Sequence, residues 1–106
     1  MLIAITRTLE LIPLLIPIVD VLRVRAPHLA DQLERAVSGV HLQLAEGSSR
    51  RGRDQKNRYR VAAAEAQEVK AALAHARAWR HVADVVLAPA ELLADQVCGL
   101  TYGLAK

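Results

Sequence analysis

The residues of this 106-residue chain that could do chemistry are four histidines, one cysteine and a few closely spaced acids. His75 and His81 are six positions apart, which places them about 120° from each other around a helix, so they cannot share a metal ion on one face. Di-iron helical bundles use Glu-x-x-His motifs, but Glu65 is followed three residues later by Glu68. The sequence therefore predicts no metal site and no cofactor.

No nucleophile or phosphate-binding loop is predicted either. Cys98 falls on the core side of a predicted helix, where cysteine acts as a small apolar residue, whereas a reactive thiol needs a positive and exposed setting. Spacing suggests no Ser-His-Asp or Cys-His pairing. Gly47 and Gly52 have the separation of a phosphate-binding loop, but Arg53 follows where that motif has lysine. We predict that the chain is not an enzyme and has no small-molecule substrate.

The composition indicates an all-α protein. Apolar residues make up 53% of the chain, yet only Trp79, Tyr59 and Tyr102 are aromatic. Ala, Leu and Val suit close helix packing, whereas strands favour aromatic and β-branched residues. The length predicts a single domain over residues 1–106, and one cysteine cannot form an internal disulfide.

The apolar run from Leu11 to Val19 raises the question of a membrane segment. It is bracketed by Glu10 and Asp20, and it is shorter than the roughly 20 residues that span a bilayer. Neither a cationic segment nor a small-residue cleavage site accompanies it. We therefore predict a cytoplasmic protein without a membrane partner.

Apolar spacing and the prolines and glycines predict four helices, over residues 3–24, 27–46, 53–87 and 89–104. Pro13 and Pro17 predict a kink or a late start in the first helix, whose continuity the sequence leaves open. Gly47 is expected just past the second helix, in the left-handed conformation. Short connections make consecutive helices antiparallel, so we predict an up-down-up-down four-helix bundle.

The third predicted helix carries two apolar stripes. Ala62, Ala66, Val69, Leu73 and Ala76 form one of them, a good core seam. A second stripe about 100° away ends in the candidate subunit-interface residues Trp79, Val82 and Val86. One broad buried face and two separate seams are both compatible with this pattern. An exposed tryptophan on an Ala-rich helix favours a homo-oligomer.

The turn between the second and third helices concentrates positive charge. Six bases stand against Asp54 alone between positions 50 and 60, a local charge of +5: Arg50, Arg51, Arg53, Lys56, Arg58 and Arg60. Glu46 at a helix C-terminus and Arg53 at a helix N-terminus both oppose the helix macrodipole. Either Glu46 pairs with Arg50, Arg51 or Arg53 and so locks the corner at Glu46 and Gly47, or the arginines bind an external anion such as nucleic-acid phosphates.

A polar stripe continues from this turn along the third helix: Lys56, Arg60, Gln67, Lys70, Arg77 and His81. It contains no acid before Asp84 at its edge. A solvated face and an extension of the basic surface are the two interpretations of this stripe.

The segment from Leu44 to Arg51, LAEGSSRR, and the helix segment from Ala64 to Val69, AEAQEV, carry a family resemblance. Their pattern resembles the bacterial four helix bundle protein family, which includes proteins encoded by intervening sequences of large-subunit ribosomal RNA genes. It is also similar to accessory proteins of diversity-generating retroelements. The resemblance implies a four-helix bundle assembled as a ring-like homopentamer. For the retroelement relatives it also implies contact with nucleic acid and a reverse transcriptase through basic surfaces.

Two functions follow from these observations. In the first, a non-enzymatic homo-oligomeric scaffold or adaptor binds nucleic acid through the six bases of the turn, mostly at phosphates. In the alternative, the protein is a purely structural or protein–protein interaction module, and the basic turn pairs with acids of a neighbouring subunit.

Overall fold

The computed structural model describes residues 2–106 of the chain. Its elements are four helices: α1 (Ile3–Arg25), α2 (Pro27–Ser48), α3 (Gly52–Ala78) and α4 (Asp84–Ala105). Each helix packs against two others, in the closed order α1, α2, α3, α4 and back to α1, and no strand occurs within these residues. Because the connections are short, consecutive helices run antiparallel. The predicted all-α, up-down-up-down four-helix bundle is confirmed.

One cluster of mainly Leu, Val and Ala side chains from all four helices forms the core. The predicted seams are buried on α2 from Leu29 to Leu44 and on α3 from Ala62 to Ala76. Two threonines, Thr8 and Thr101, are also fully buried. Each hydroxyl donates a hydrogen bond to a carbonyl one turn earlier in its own helix, at 2.7 and 2.8 Å, so neither is left unpaired in the core.

Helix α1 continues through both of its prolines. It begins at Ile3, so a late start after the prolines, one of the two predicted alternatives, is wrong. Pro13 and Pro17 lie on the exposed side of the helix, where water can bond to the carbonyls that lose their helical donors. Leu15 and Ile18 point into the core and are 3% and 0% exposed. Their burial stabilises the helix across a segment that local propensity disfavours.

The predicted left-handed conformation of Gly47 is wrong. Gly47 lies inside α2 and is buried, whereas the left-handed glycine of this corner is Gly52, with φ of 59° at the start of α3. Gly47 instead contacts the ring of Tyr59, and a Cβ at position 47 would lie 2.7 Å from Cε1 of that ring. Close packing between α2 and α3, rather than chain reversal, is therefore what requires glycine here.

Helix α3 is shorter than predicted. It ends at Ala78 rather than near residue 87, and Arg80 adopts a left-handed conformation with φ of 57°. The amides of Arg80 and His81 donate to the carbonyls of Arg77 and Ala76, both at 3.0 Å. These are the two bonds of a Schellman motif, which normally places glycine where this chain has Arg80. The absence of that glycine is why the helix end was not predicted.

Helix α4 begins at Asp84, five residues before the predicted start at Pro89. Ala83 is extended, and its carbonyl accepts hydrogen bonds from the amides of Val86 and Leu87 at 3.0 and 3.1 Å. Pro89 lies one turn into the helix on its exposed side. Its missing donor affects only the carbonyl of the exposed Val85, where water can substitute.

Candidate functional site

The basic turn, residues 46–60, includes two side chains of α3, Gln55 and Lys56, whose hydrogen bonds fix it to the rest of the bundle. The side-chain amide of Gln55 donates to the carbonyls of Gly47 and Arg50, at 3.1 and 2.9 Å, and so satisfies acceptors at the C-terminus of α2. Lys56 donates to the carbonyls of Leu104 and Lys106 at the end of α4. The basic turn therefore lies at the end of the bundle where α4 ends, and Lys56 is engaged within the chain.

Two of the six bases are paired with acids of the same turn. Arg50 lies 3.2 Å from Glu46 and 3.7 Å from Asp54, and Arg58 lies 3.7 Å from Asp54. Glu46 thus contacts one of the arginines that the sequence offered as its partner. All four side chains are substantially exposed to solvent, so these pairs stabilise the fold by about 0–1 kcal/mol each.

The other three arginines keep their charge available at the surface. Arg51 and Arg53 have no hydrogen bond or ion pair from their side chains to any residue between 2 and 106, and Arg60 bonds only to the neutral amide oxygen of Asn57, at 3.3 Å. Arg51 is the N-cap of α3, and Arg53 is in its first turn. Positive charge at a helix N-terminus is unfavourable, and a bound anion would relieve it. These three side chains are the part of the turn open to an external anion.

The basic surface does not extend along α3, so that interpretation of the polar stripe is wrong. Lys70 pairs with Asp95 at 2.8 Å, and Arg77 pairs with Glu91 and Asp84 at 2.6 and 2.8 Å. The hydrogen bond to Asp95 raises the pKa of Lys70, and the hydrogen bond to Glu91 raises the pKa of Arg77. The acids come from α4 and its first turn, which the pattern along α3 alone does not reveal.

The three predicted interface residues lie in different environments. Trp79 is 67% exposed, but Val82 is 7% exposed and packs in the core of its own chain. Val86 is half-buried against the same core. Because α3 ends at Ala78, Val82 and Val86 do not belong to a stripe of that helix. The assignment of Val82 to a subunit interface is wrong, because its side chain is already covered.

Most of the exposed large apolar side chains lie on α1 and α4. Among residues 2–106, α2 and α3 carry one each, Leu42 and Val61. The outer surfaces of α1 and α4 carry eight, which we call the apolar face: Ile3, Leu9, Ile16, Val21, Val24, Val85, Leu92 and Tyr102. A groove of 210 Å³ between the two helices adds the half-buried Leu100 and Leu104. The sequence contained a signal for this face, since α1 and α4 have apolar residues around most of their circumference.

The remaining candidates for chemistry are Glu65 and Cys98. Burial raises the pKa of Glu65, and a hydrogen bond with Glu68 raises it further. Within residues 2–106, no three His, Cys, Asp or Glu side chains are placed to hold a metal ion. The predicted core position of Cys98 is confirmed. Its thiol donates to the carbonyl of Ala66 at 3.3 Å, and burial raises its pKa, which disfavours the thiolate.

None of the helices in residues 2–106 is both long enough and apolar enough to cross a membrane. Comparisons of the chain with protein-family models, with curated proteins and with solved structures find no match.

Proposed function

We propose that this protein is a non-enzymatic cytoplasmic scaffold that assembles with copies of itself through the apolar face and binds nucleic acid at its basic turns. The concentration of exposed apolar side chains on α1 and α4 is the observation that carries the proposal. A helix that is apolar around most of its circumference is normally buried on more than one side. The single chain covers only the inner side of α1, so a further surface is needed for Val24 and Ile16, which are 84% and 55% exposed.

The size and charge of the apolar face fit a second copy of the chain. The bundle measures 42 × 22 × 19 Å, so one long side offers about 800 Å², which is the usual contribution of one partner to a stable interface. Several charges beside this face are already paired within the chain, as in the ion pairs Arg7–Glu10 and Lys70–Asp95. An apolar surface with few free charges suits a self-complementary contact and does not suit a polyanion.

Assembly would repeat the basic turn around a symmetry axis. One copy offers Arg51, Arg53 and Arg60 to an anion, which is a modest site. Several copies in a ring would add their potentials and bind a polyanion more tightly than a single turn can. The family resemblance implies five subunits. It also implies a further candidate partner, a nucleic-acid enzyme such as a reverse transcriptase.

The mass of the protein in solution tests self-assembly directly. We expect light scattering at micromolar concentration to give an integral multiple of the chain mass of 11.6 kDa, because contiguous exposed apolar surface favours association. If the family resemblance holds, the measured mass corresponds to five subunits. A mass of one chain throughout a dilution series from about 100 μM would contradict the proposal.

A salt series tests the nucleic-acid site. We expect a labelled single-stranded RNA to bind in fluorescence anisotropy, with an affinity that falls log-linearly as salt rises. The double variant Arg51→Glu, Arg53→Glu should weaken binding and should reduce the salt slope by about 1.4, since roughly 0.7 counterions are released per phosphate contact on a single strand. A control, Arg35→Glu on the exposed middle of the bundle, reverses a base that makes no ion pair within residues 2–106, and should retain the salt slope.

The same variants separate the two candidate functions. In the alternative, a purely structural or protein–protein interaction module, the basic turn pairs with acids of a neighbouring subunit, and the bases left for that pairing are those without an acid of their own turn, among them Arg51 and Arg53. In that case Arg51→Glu with Arg53→Glu would dissociate the assembly. Loss of RNA binding with the mass unchanged would support nucleic-acid binding, and no RNA binding by the native protein at about 50 mM salt would exclude it.

A further inference from the structure

The bundle end opposite the basic turn contains a second cationic site. There the junction between α1 and α2 meets the turn between α3 and α4. A shallow cavity of about 620 Å³, open to solvent, lies between them, lined by arginines, a histidine and an acid: Arg25, Arg77, Arg80, His81 and Asp84, with Val82 and Ala83. Because the molecule is 42 Å long, this site and the basic turn cannot contact the same few nucleotides.

A pair of stacked aromatic rings adjoins the cavity, formed by the exposed Trp79 and the half-buried His81, which lines the cavity. The indole of Trp79 is 67% exposed and stacks on the imidazole of His81, with ring centroids 6.2 Å apart and planes 11° from parallel. Trp79 makes no contribution to the core cluster, although tryptophan is the side chain with the most apolar surface to bury. A solvent-facing indole fixed by a second ring is a surface on which another planar group can stack.

Some of the charged side chains around these rings form ion pairs, and others do not. Arg77 is held by Glu91 and Asp84, so the acid of the cavity is already paired. Arg25 and Arg80 have no side-chain hydrogen bond or ion pair with any residue of the described chain, 2–106. Two unpaired guanidinium groups therefore adjoin the stacked rings.

The backbone of Arg80 supports a functional role for its side chain. Its left-handed conformation, with φ of 57°, costs a residue with a Cβ about 1 kcal/mol, whereas glycine would adopt it freely. Packing does not explain the choice, because Arg80 is exposed. Strained backbone conformations are often retained at functional sites, so the left-handed Arg80 with its unpaired guanidinium is a candidate binding residue.

We infer that this end of the bundle binds a nucleotide unit, with the base stacked on Trp79 and the phosphate bound by Arg25 and Arg80. Aromatic stacking accepts any base, because every base has a π-face. Arginine forks bind phosphate oxygens through paired hydrogen bonds. The nucleotide has two possible sources, an unpaired residue of a single strand or a free mononucleotide. A duplex is excluded as a stacking partner because its bases are already stacked.

Trp79 is the only tryptophan of the chain, so its fluorescence reports on this site alone. We expect saturable quenching by a thymidine hexanucleotide and none by inorganic phosphate or by a blunt duplex. Saturable quenching by adenosine monophosphate as well would identify free nucleotides as ligands, and its absence would restrict the site to single strands. If neither the hexanucleotide nor the mononucleotide quenches saturably, the inference is overturned.

Substitutions then assign the contacts. In anisotropy with a labelled hexanucleotide, Trp79→Ala should weaken binding roughly tenfold, while Trp79→Phe should stay within about threefold, since a phenyl ring still stacks. Arg25→Gln with Arg80→Asn should weaken binding about tenfold and leave the protein folded, because asparagine tolerates the left-handed conformation. Equal binding by the Ala and Phe variants would overturn the stacking role of Trp79.

The inference is independent of the proposed function at the basic turn. Arg51→Glu with Arg53→Glu should leave the quenching of Trp79 by the hexanucleotide within about twofold, even if it abolishes binding of longer RNA. Quenching that disappears in that variant would place the ligand at the basic turn instead. A shift of Trp79 emission on dilution without any nucleotide would assign the indole to a subunit contact, and would also overturn the inference.

Discussion

Replacing Leu92 and Val24 together by glutamate is expected to dissociate the proposed assembly into folded single chains. The two side chains are 65% and 84% exposed in the single chain, so each replacement should change the free energy of unfolding by no more than about 0.5 kcal/mol. In a subunit interface, however, each glutamate would bury an unpaired carboxylate at a cost of roughly 3 kcal/mol or more. That cost corresponds to a dissociation constant raised at least about 100-fold.

The matched control is Leu42→Glu on α2. Leu42 is 59% exposed, similar to Leu92, but it lies outside the apolar face. Light scattering should give the native mass for this variant and the mass of a single chain for the double variant, and circular dichroism should show the same helix content for both. Dissociation caused by Leu42→Glu alone would place the interface on α2 and would contradict the proposed use of α1 and α4.

Much of this fold could be predicted because local periodicity determines it. The seam of α2, from Leu29 to Leu44, and that of α3, from Ala62 to Ala76, were identifiable from three- and four-residue spacing. The first helix and the starts of α2 and α3 fell within one residue of their predicted positions. These features depend on residues close together in the chain, which is why one sequence suffices to predict them.

The features that were not predicted depend on exceptions to local preference or on distant contacts. Arg80 ends α3 in a conformation that usually requires glycine. Pro89 follows the start of α4 instead of marking it. The acids Glu91 and Asp95 neutralise bases of α3 from another helix. Periodicity contains no information about such pairs, since they follow from how the helices are placed side by side.

The same division applies to the candidate sites. The local charge of the basic turn follows from counting residues, whereas the engagement of Lys56 with the end of α4 requires the tertiary structure. The apolar character of α1 is evident in its sequence, but which of its apolar side chains stay exposed depends on how the other helices pack against it. The sequence predicts Trp79 at a subunit interface, whereas its stacking on His81 depends on the turn between α3 and α4, which periodicity does not locate.

The contact between Gly47 and Tyr59 provides the second large expected effect. Gly47→Ala should lower the free energy of unfolding by about 1–2 kcal/mol. Placing a methyl group 2.7 Å from the Tyr59 ring, itself 5% exposed and unable to move away, should cost roughly 1–3 kcal/mol. Alanine recovers up to about 1 kcal/mol of helix propensity. For a chain of this size the melting temperature should fall by about 5–10 °C.

Gly39→Ala is the control, because it makes the same substitution in the same helix. Its added methyl group would meet the end of the Glu65 side chain at 2.9 Å, and a flexible, half-exposed side chain can rotate aside at little cost. Because alanine recovers helix propensity here too, we expect this variant to be as stable as the native protein or up to about 1 kcal/mol more stable. Chemical denaturation of both variants measures the difference. Equal stability of the two would mean that Tyr59 can shift, and that Gly47 is not required for the packing of α2 against α3.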